Sequence, residues 1–279
     1  MEIDLLEFDD LIRRAFKEDF AYQDVTTVSC IPQDARARAE IVLKKPGCLA
    51  GLLFVPRIFQ IYDPQIAVHL LAADGNKREP GPVAQIEGPA CSLLSAERVA
   101  LNFLQHLCGI ATLTARCKKE AEGTGCKILD TRKTLLGLRS LQKYAVRMGG
   151  GINHRLHLAD RILIKNNHLA LSPKENPFSA VAKARERHPE NWIEVEIASL
   201  MQLQPALDAG ADALLLDNMD PEEVRRCVIA NKGRAFLEAS GGITLETLRS
   251  YALTGIGAVS IGALTHSAPA LDISLRVCP

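Results

Sequence analysis

Strand-length apolar runs and helical patterns alternate along the second half of the chain. Six such runs end in polar or small residues, at 127–130, 161–165, 192–198, 213–217, 235–240 and 258–262. Between them, Asp220 followed by Pro221 is typical of a helix start. Further helices are expected to begin at Ser199, with Gln202 completing a capping box, and at Thr244. Strands that alternate with helices in this way predict βα units in a parallel sheet.

The first 120 residues show a different pattern. Apolar residues at helical spacing predict a helix over residues 4–18, and Thr26 with Thr27 is expected to lead into a strand. Strand-like segments follow at 37–43, 48–54, 66–72 and 80–90. One or two long helices are expected over 92–120, with Ser95 as a candidate N-cap. This region predicts a small α+β domain.

The composition excludes several classes of protein. Thirty-three basic and thirty-three acidic side chains cancel, so the broad basic surface of a nucleic-acid-binding protein is not expected. No apolar run reaches the roughly 20 residues that span a bilayer, and the acidic N-terminus lacks the basic flank of a signal peptide. The eight cysteines show no metal-ligand spacing, and we expect them to be reduced. A cytoplasmic protein with no membrane or nucleic-acid partner is predicted.

Cationic side chains concentrate between Asp130 and His168, where eight basic residues meet only two aspartates. Lys143 and Arg147 are four residues apart and fit a solvated helix face, an interpretation that stays open beside a role in a site. The basic residues that instead end apolar runs or adjoin glycines, where loops present groups to ligands, are Arg132, Lys133, His154, Arg155 and Lys165. They predict a pocket for a small, highly anionic molecule.

Polar groups stand at the C-terminal ends of the successive predicted strands. They are Arg132, Lys133, Lys165, Glu196, Asp217 and Ser240. In a (β/α) barrel that end carries the chemistry, while the strand interiors are packing. Because only six or seven strands can be counted, the barrel is expected to be incomplete.

Two short segments after the last two strands predict a phosphate site. Residues 240–243 and 260–267 resemble phosphate-binding loops at this position in many barrels, because glycine lets backbone N–H groups approach a phosphate. Ordinary tight turns are the alternative interpretation. The glycines at 149–151 predict a turn that brings His154 and Arg155 to an anionic oxygen.

Glu196 and Asp217 stay open among three roles: a general acid/base pair, metal ligands, or acceptors for hydroxyl groups. Their place beside phosphate loops favours Mg²⁺ shared with a pyrophosphate, since Mg²⁺ prefers oxygen ligands. A structural salt bridge from these carboxylates to Lys165 is the alternative. His168 is either a base or a structural loop residue.

Several motifs in register resemble the quinolinate phosphoribosyltransferase family. They are DTRKT (130–134), KYAVRMGGGINHR (143–155), LIKNNH (163–168), EVE (194–196), LLDN (215–218), EASGGI (238–243) and SIGALTHS (260–267), with EDFAYQDVTT (18–27) and ERVALNFLQHLCGIAT (97–112) before them. The resemblance implies an α/β protein, with an N-terminal α/β sandwich domain (1–112) and an open, incomplete α/β barrel domain with phosphate loops (113–267). The tail 268–279 would pack with the first domain.

The resemblance also implies a reaction. The family joins quinolinate to 5-phosphoribosyl-1-pyrophosphate with Mg²⁺ and releases pyrophosphate and CO2, which gives nicotinate mononucleotide for NAD synthesis. No organic cofactor is implied. A homodimer with shared active sites, or a higher oligomer, is expected, in which Arg98 reaches a pocket on the partner subunit.

Residue roles follow from the same resemblance. The side chains expected to hold the quinolinate carboxylates are Arg132, His154, Arg155 and Lys165. Lys133 is expected near the pyrophosphate, with Thr131 as a further substrate contact. The residues expected at the phosphate end are Ser240, Gly241, Gly242, Ile261, Gly262 and Ala263. Glu196 and Asp217 are expected at the ribose hydroxyls and Mg²⁺, directly or indirectly, and the expected catalytic set is Lys133, Lys165, Glu196 and Asp217.

Four places depart from the family's usual pattern: Leu135-Leu136, His157, Asn166 and Cys108. They bear on loop shape and local charge, since the expected cationic ligands are all present. The alternatives are a molybdenum-transport-associated pyrophosphorylase homologue of the same fold, a Schiff-base aldolase that uses Lys165, and a non-catalytic metabolite-binding homologue. In the aldolase interpretation little function remains for Arg132, Lys133 and Arg155.

Overall fold

The structure, a computed structural model, describes residues 4–173 and 176–278. The chain divides into two compact units. The first comprises the described parts of Met1–Ala115, Tyr144–Gly150 and Ala268–Pro279, and the second comprises those of Arg116–Lys143 and Gly151–Ser267. The domain bounds expected from the sequence stay a prediction. That prediction did not place Tyr144–Gly150 in the first unit.

Strands and helices are numbered in chain order. The strands are β1 (Arg36–Leu43), β2 (Gly47–Cys48), β3 (Ala67–Leu70), β4 (Lys77–Arg78), β5 (Gly81–Pro89), β6 (Lys127–Leu129), β7 (Ile162–Ile164), β8 (Ile193–Ile197), β9 (Ala213–Asp217), β10 (Phe236–Ser240), β11 (Ala258–Ser260) and β12 (Ile273–Cys278). The α-helices are α1 (Asp9–Glu18), α2 (Val25–Cys30), α3 (Val55–Tyr62), α4 (Ala90–Glu120), α5 (Arg139–Met148), α6 (Asn166–Ala170), α7 (Ser179–Arg187), α8 (Leu203–Asp208), α9 (Pro221–Asn231), α10 (Leu245–Ala252) and α11 (Ala263–His266). No helix in these described ranges is both long enough and apolar enough to cross a membrane.

The first unit is built on a four-stranded antiparallel sheet in the order β12-β1-β5-β3. Side chains alternate along β1, so Ala39, Ile41 and Leu43 are buried while their neighbours are more exposed. The helix α1 buries Ile12 and Phe16 completely, which are two of the apolar positions of the predicted helical period.

The second unit is built on a six-stranded parallel sheet in the order β6-β11-β10-β9-β8-β7. All five residues of β8 are buried, as are four of the five in β9, as expected for parallel strands covered on both faces. Among the described residues no ladder joins β6 to β7, and only an isolated bridge between Leu129 and Ile152 extends beyond β6. The predicted α/β architecture with an open parallel sheet is confirmed, and the carboxyl ends of its strands meet at one edge.

Helix caps in the second unit agree with the sequence in two of three places. The Asp220 carboxylate accepts from the Glu223 N–H at 2.8 Å, and Thr244 forms a capping box with Thr247. A 3₁₀ turn begins directly after Ser199 as predicted, but Ser199 makes no side-chain cap bond, so the predicted capping box was wrong. Its intended partner Gln202 instead accepts from the Ala198 N–H at 2.7 Å.

Two predictions in the first unit were also wrong, and a single carboxylate explains both. Asp24 accepts from the Thr27 N–H and hydroxyl, and this N-cap starts the helix α2 where a strand was expected. Ser95 donates to the same carboxylate at 2.8 Å from within α4, which begins at Ala90, and is therefore not an N-cap.

The segment 48–54 is mostly not a strand. Only Cys48 belongs to β2, and Gly51, with a φ of +93°, precedes a 3₁₀ turn at Leu52–Phe54. The Asp74 carboxylate accepts from the N–H groups of Gly51 and Leu52, which holds this turn in place. The apolar run predicted a strand because it is buried, but glycine's positive φ ends the extended conformation.

Candidate functional site

A cavity of about 390 Å³ opens at the carboxyl ends of the parallel strands. The residues predicted for the site that lie in its wall are Thr131, Arg132, Lys133, His154, Arg155, Lys165, Glu196, Asp217, Ser240, Gly241 and Gly242. The parallel topology explains the convergence, because each strand delivers its last residues to the same edge. The wall does not include Ile261, Gly262 or Ala263, and Arg98 belongs to the first unit.

Gly262 nevertheless lies against a cation of the wall. A Cβ atom built on Gly262 would be 2.9 Å from Cδ of Lys133, so the glycine lets the Lys133 side chain lie close to the backbone here. Thr265, in the helix that follows, donates to the Lys133 carbonyl at 2.7 Å. The segment after β11 therefore supports Lys133 at the edge of the cavity.

Two guanidinium groups share one side of the cavity. Arg155 is buried, donates to the Arg161 carbonyl at 3.3 Å, and has its pKa lowered by burial and by the charge of Arg132. The buried Nε of Arg132 has no hydrogen-bond partner within residues 4–173 and 176–278. A bound anion would stabilise these two neighbouring positive charges and could accept a hydrogen bond from the unused Arg132 Nε.

One buried ion pair connects the loops that carry these cations. Lys143 and Asp130 are 1% and 0% exposed and form a salt bridge, so a solvated helix face is wrong for Lys143. Asp130 also accepts from the His154 N–H at 2.9 Å and from Asn153 Nδ2. Since Asp130 directly follows β6 and precedes Arg132, the ion pair ties the Arg132 loop to the His154–Arg155 loop.

Both ring nitrogens of His154 are engaged. Nδ1 accepts from the Arg155 N–H at 2.8 Å, and Nε2 lies 3.1 Å from Glu194 and 3.4 Å from Glu238. Burial by itself lowers the pKa of His154, but the two glutamates beside Nε2 outweigh it and raise the pKa. A substrate carboxylate, the partner expected for this ring, would have to displace one of these contacts.

The same three side chains have the composition of a metal site, since their donor atoms lie within 4.8 Å of one another. The hydrogen-bond pattern opposes that role. Because Nδ1 accepts from a backbone N–H, the ring proton is on Nε2, the atom that a metal would need. The cluster is arranged to hold protons between a histidine and two carboxylates.

Opposite charges meet across the next two strands. Lys165, about half exposed, lies 3.5 Å from Glu196 on β8, so the predicted ion pair is present at the mouth of the cavity. Burial and the negative charge of Glu196 raise the pKa of Asp217 at the end of β9. His168 accepts from the Lys165 N–H at 2.9 Å and caps α6, which fits the structural interpretation of this histidine.

Asn218 connects Asp217 to the glycine loop. It has a φ of +57°, donates from Nδ2 to the Asp217 carboxylate at 2.9 Å, and donates its N–H to the Ser240 carbonyl at 2.8 Å. A Cβ on Gly241 would lie 2.2 Å from Asn218 Oδ1. The Ser240–Gly242 turn can therefore pack against Asn218 only because position 241 is glycine.

Sequence reasoning did not select Glu194, Glu238 or Asn218 as functional residues, although all three fall in motifs that resemble the family. A signal was present for the glutamates. Each stands inside an apolar strand, where a carboxylate needs a buried partner.

Comparison with known families covers both units. Residues 24–108 match the model described as "Quinolinate phosphoribosyl transferase, N-terminal domain". Residues 110–276 match "Quinolinate phosphoribosyl transferase, C-terminal domain". The chain belongs to the quinolinate phosphoribosyltransferase family.

Relatives with established names match the chain over most of its length. A probable nicotinate-nucleotide pyrophosphorylase [carboxylating] of Bacillus subtilis is 43% identical, covering 98% of this chain and 94% of its own. The corresponding Mycobacterium leprae protein is 41% identical over 96% and 98% of the two chains. The solved nicotinate-nucleotide pyrophosphorylase of Francisella tularensis superposes with a TM-score of 0.92 at 35% identity, covering 99% of this chain and 98% of that one. The chain is thus a phosphoribosyltransferase of pyridine nucleotide biosynthesis.

Proposed function

We propose that the cavity at the strand ends is where this quinolinate phosphoribosyltransferase carries out its reaction. The enzyme transfers phosphoribosyl from 5-phosphoribosyl-1-pyrophosphate to quinolinate and forms nicotinate mononucleotide, pyrophosphate and CO2. The observation that carries the proposal is that Arg132, Arg155 and Lys165 line the same cavity as the glycine turn at 240–242. A di-acid and a phosphorylated sugar need cations and phosphate-binding backbone at adjoining positions.

We assign the quinolinate carboxylates to Arg132, Arg155 and Lys165. Two guanidinium groups offer paired N–H donors that suit planar carboxylates, and the unused Arg132 Nε adds one more. We do not assign a carboxylate to His154, because both of its ring nitrogens already have partners. Its role is to hold the backbone N–H of Arg155 in place.

The phosphate-bearing end is assigned to the turn Ser240–Gly242, with Lys133 and Thr131 toward the pyrophosphate. Rate enhancement comes from two sources. The wall holds the ring nitrogen of quinolinate against the anomeric carbon, and the cations stabilise the charge of the departing pyrophosphate. The new bond makes the ring nitrogen cationic, and this stabilises the carbanion left by decarboxylation, so no organic cofactor is required.

Glu196 and Asp217 fit a magnesium ion shared with the pyrophosphate and ribose oxygens. Both carboxylates line the cavity, and the charge of Glu196 raises the pKa of Asp217, a repulsion that a divalent cation would relieve. Bound Mg²⁺ would neutralise part of the pyrophosphate charge. Asn218 keeps the Asp217 carboxylate in position for that role.

The function is tested by quinolinate-dependent release of pyrophosphate from phosphoribosyl pyrophosphate. We expect release with quinolinate and Mg²⁺, and none with nicotinic acid as the acceptor, because nicotinic acid lacks one carboxylate for the arginine pair. Chelation of Mg²⁺ should abolish release, and restored Mg²⁺ should recover it. Release with nicotinic acid but not quinolinate would refute the proposed acceptor.

A substitution in the glycine turn tests the phosphate assignment. Gly241→Ala should raise the KM for phosphoribosyl pyrophosphate about 10-fold or more and lower stability by about 1–3 kcal/mol, because the new Cβ meets Asn218 at a φ of +98°. Gly242→Ala is the matched control: its φ is also positive, at +61°, but nothing lies within 4 Å of its Cβ. An unchanged KM for phosphoribosyl pyrophosphate in folded Gly241→Ala would contradict the assignment.

The homodimer with shared sites is part of the proposal. Arg98 is 57% exposed and, among the described residues, has only a 3.9 Å contact with its neighbour Glu97, so its guanidinium is available to a partner subunit. Arg98→Ala and Arg155→Ala should each lose most of their activity. A 1:1 mixture of the two should regain up to about a quarter of wild-type activity, because half of its dimers are mixed and each mixed dimer has one intact site of two. Absence of complementation in verified mixed dimers would remove Arg98 from the site. We also propose that the reaction takes place in the cytoplasm, where the eight cysteines would stay reduced.

A further inference from the structure

Arg139, the first residue of α5, connects two loops of the proposed active site. Its Nε donates to the Thr134 hydroxyl at 3.1 Å, and its Nη1 donates to the Leu156 carbonyl at 3.3 Å. Thr134 comes two residues after Arg132, and Leu156 directly follows Arg155. One guanidinium group therefore bridges the two segments that carry the arginines assigned to quinolinate.

This bridge complements the anchor that lies before each of those arginines. Asp130 precedes the first arginine by two residues, and it accepts from the N–H of His154, which directly precedes the second, at 2.9 Å. Its ion-pair partner Lys143 lies on α5 four residues after Arg139, so both cations are on one face of that helix. The same face of α5 thus holds each loop twice, once before the arginine and once after it.

Electrostatic attraction does not explain a cation at position 139. The N-terminus of a helix carries partial positive charge, so an arginine as the first residue of α5 is unfavourable there. Burial lowers the pKa of Lys143, and the positive charge of Arg139 lowers it further. Arg139 is half-buried, and both of its acceptors are uncharged. What the guanidinium contributes is its shape, since a planar fork donates in two fixed directions at once.

We propose that Arg139 is a positioning residue that fixes the relative position of the Arg132 and Arg155 guanidinium groups and thereby makes the site selective for carboxylates on adjacent ring carbons. The proposal rests on the proposed function, since it concerns the carboxylates of quinolinate, which lie on adjacent carbons. Loss of the bridge leaves both arginines in the site but releases the segments that follow them. Their preorganisation for one carboxylate spacing is then lost.

The test compares two di-acids that cannot react, benzene-1,2-dicarboxylate and benzene-1,3-dicarboxylate. Neither has a ring nitrogen, so calorimetry with the full-length enzyme gives both Kd values without turnover. Wild type should bind the 1,2 isomer at least about 10-fold more tightly, because a misplaced carboxylate loses a charge-assisted hydrogen bond. In Arg139→Ala the preference should fall to about 3-fold or less, because the two arginines can adapt to the wider spacing.

Kinetics with quinolinate gives a second readout. In Arg139→Ala, kcat/KM for quinolinate should fall about 10- to 100-fold, while the KM for phosphoribosyl pyrophosphate stays within about 3-fold of wild type. A general loss of structure would instead affect both substrates. Arg226→Ala, at an exposed position of α9, is the control for the exchange of an arginine and should change neither the kinetics nor the preference.

Two further variants separate the bridge from the charge. Arg139→Lys keeps the charge but loses the planar fork, so its preference should resemble that of Arg139→Ala, and a wild-type preference would overturn the proposal. Thr134→Val removes one acceptor of the bridge, so it should lower the preference in wild type and have little effect in Arg139→Ala. Equal effects in the two backgrounds would also overturn the proposal.

A wild-type ratio of the two Kd values in folded Arg139→Ala would refute the positioning role, as would a wild type that does not prefer the 1,2 isomer. If Arg139→Ala does not fold, Thr134→Val decides alone: a lowered preference supports the proposal, and an unchanged preference refutes it. If wild type binds neither isomer and releases no pyrophosphate with quinolinate, the proposed function itself fails. The two failures are thereby distinguished.

Discussion

Arg155→Ala should lower kcat/KM for quinolinate about 100- to 1,000-fold, because loss of one buried charged donor costs roughly 2.7–4 kcal/mol in a water-poor site. The guanidinium is buried beside Arg132, so its removal takes away half of the paired positive charge that we assign to the di-acid. The KM for phosphoribosyl pyrophosphate should change much less. Steady-state kinetics with each substrate varied in turn measures the difference.

Two further substitutions sharpen this test. Arg155→Lys keeps the charge but loses the planar fork, so activity should lie between wild type and Arg155→Ala. Arg187→Ala removes an exposed arginine at the end of α7 and should leave the kinetics unchanged. An unchanged quinolinate requirement in Arg155→Ala would exclude this arginine from the substrate site.

Lys143→Met should destabilise the protein by about 3–5 kcal/mol, the usual cost of leaving one partner of a buried ion pair uncompensated. Burial raises the pKa of Asp130 and lowers that of Lys143, so each group depends on the other to remain charged. The free energy of unfolding, measured by urea denaturation of wild type and variant, gives the value directly.

The cause of that loss can be separated from a loss of packing. Asp130→Asn added to Lys143→Met removes the orphaned charge but keeps an acceptor for the His154 N–H, so the double variant should be more stable than Lys143→Met alone. Lys183→Met, at an exposed position of α7, should stay within about 0.5 kcal/mol of wild type. If the double variant were no more stable than Lys143→Met, the loss of unfolding free energy would come from altered packing and not from the unpaired charge of Asp130.

The parallel strands were predictable because strands buried on both faces consist of short, continuous runs of apolar residues. The run at 213–217 is apolar up to Asp217 and forms β9 over the same residues. The two wrong predictions in the first unit have different reasons. Thr26 and Thr27 lie in a helix because Asp24, three residues before Thr27, caps it, a local signal that the apolar pattern does not contain. Ser95 lies inside α4 and binds the same aspartate 71 residues earlier, a contact that leaves no periodic signal in the chain.

The candidate site divides along similar lines. The cations and carboxylates at strand ends were predicted as site residues because the parallel topology brings strand ends together. Arg132, Lys165 and Asp217 could therefore be predicted without knowledge of their contacts. Lys143 was open to misinterpretation because spacing along a helix does not reveal a partner thirteen residues earlier. The glutamate pair around His154 depends on three segments meeting, which residue types alone do not specify.

The single carboxylate of Asp130 has a consequence for redesign of the enzyme. It holds the segment after β6 and the segment before Arg155 at one fixed separation, through Lys143 and the His154 backbone. The spacing of the two guanidinium groups is therefore a property of the backbone, not of the arginine side chains. Acceptance of a di-acid with differently spaced carboxylates would require grafting both loops together with their shared anchor, since exchanging one arginine leaves that separation unchanged.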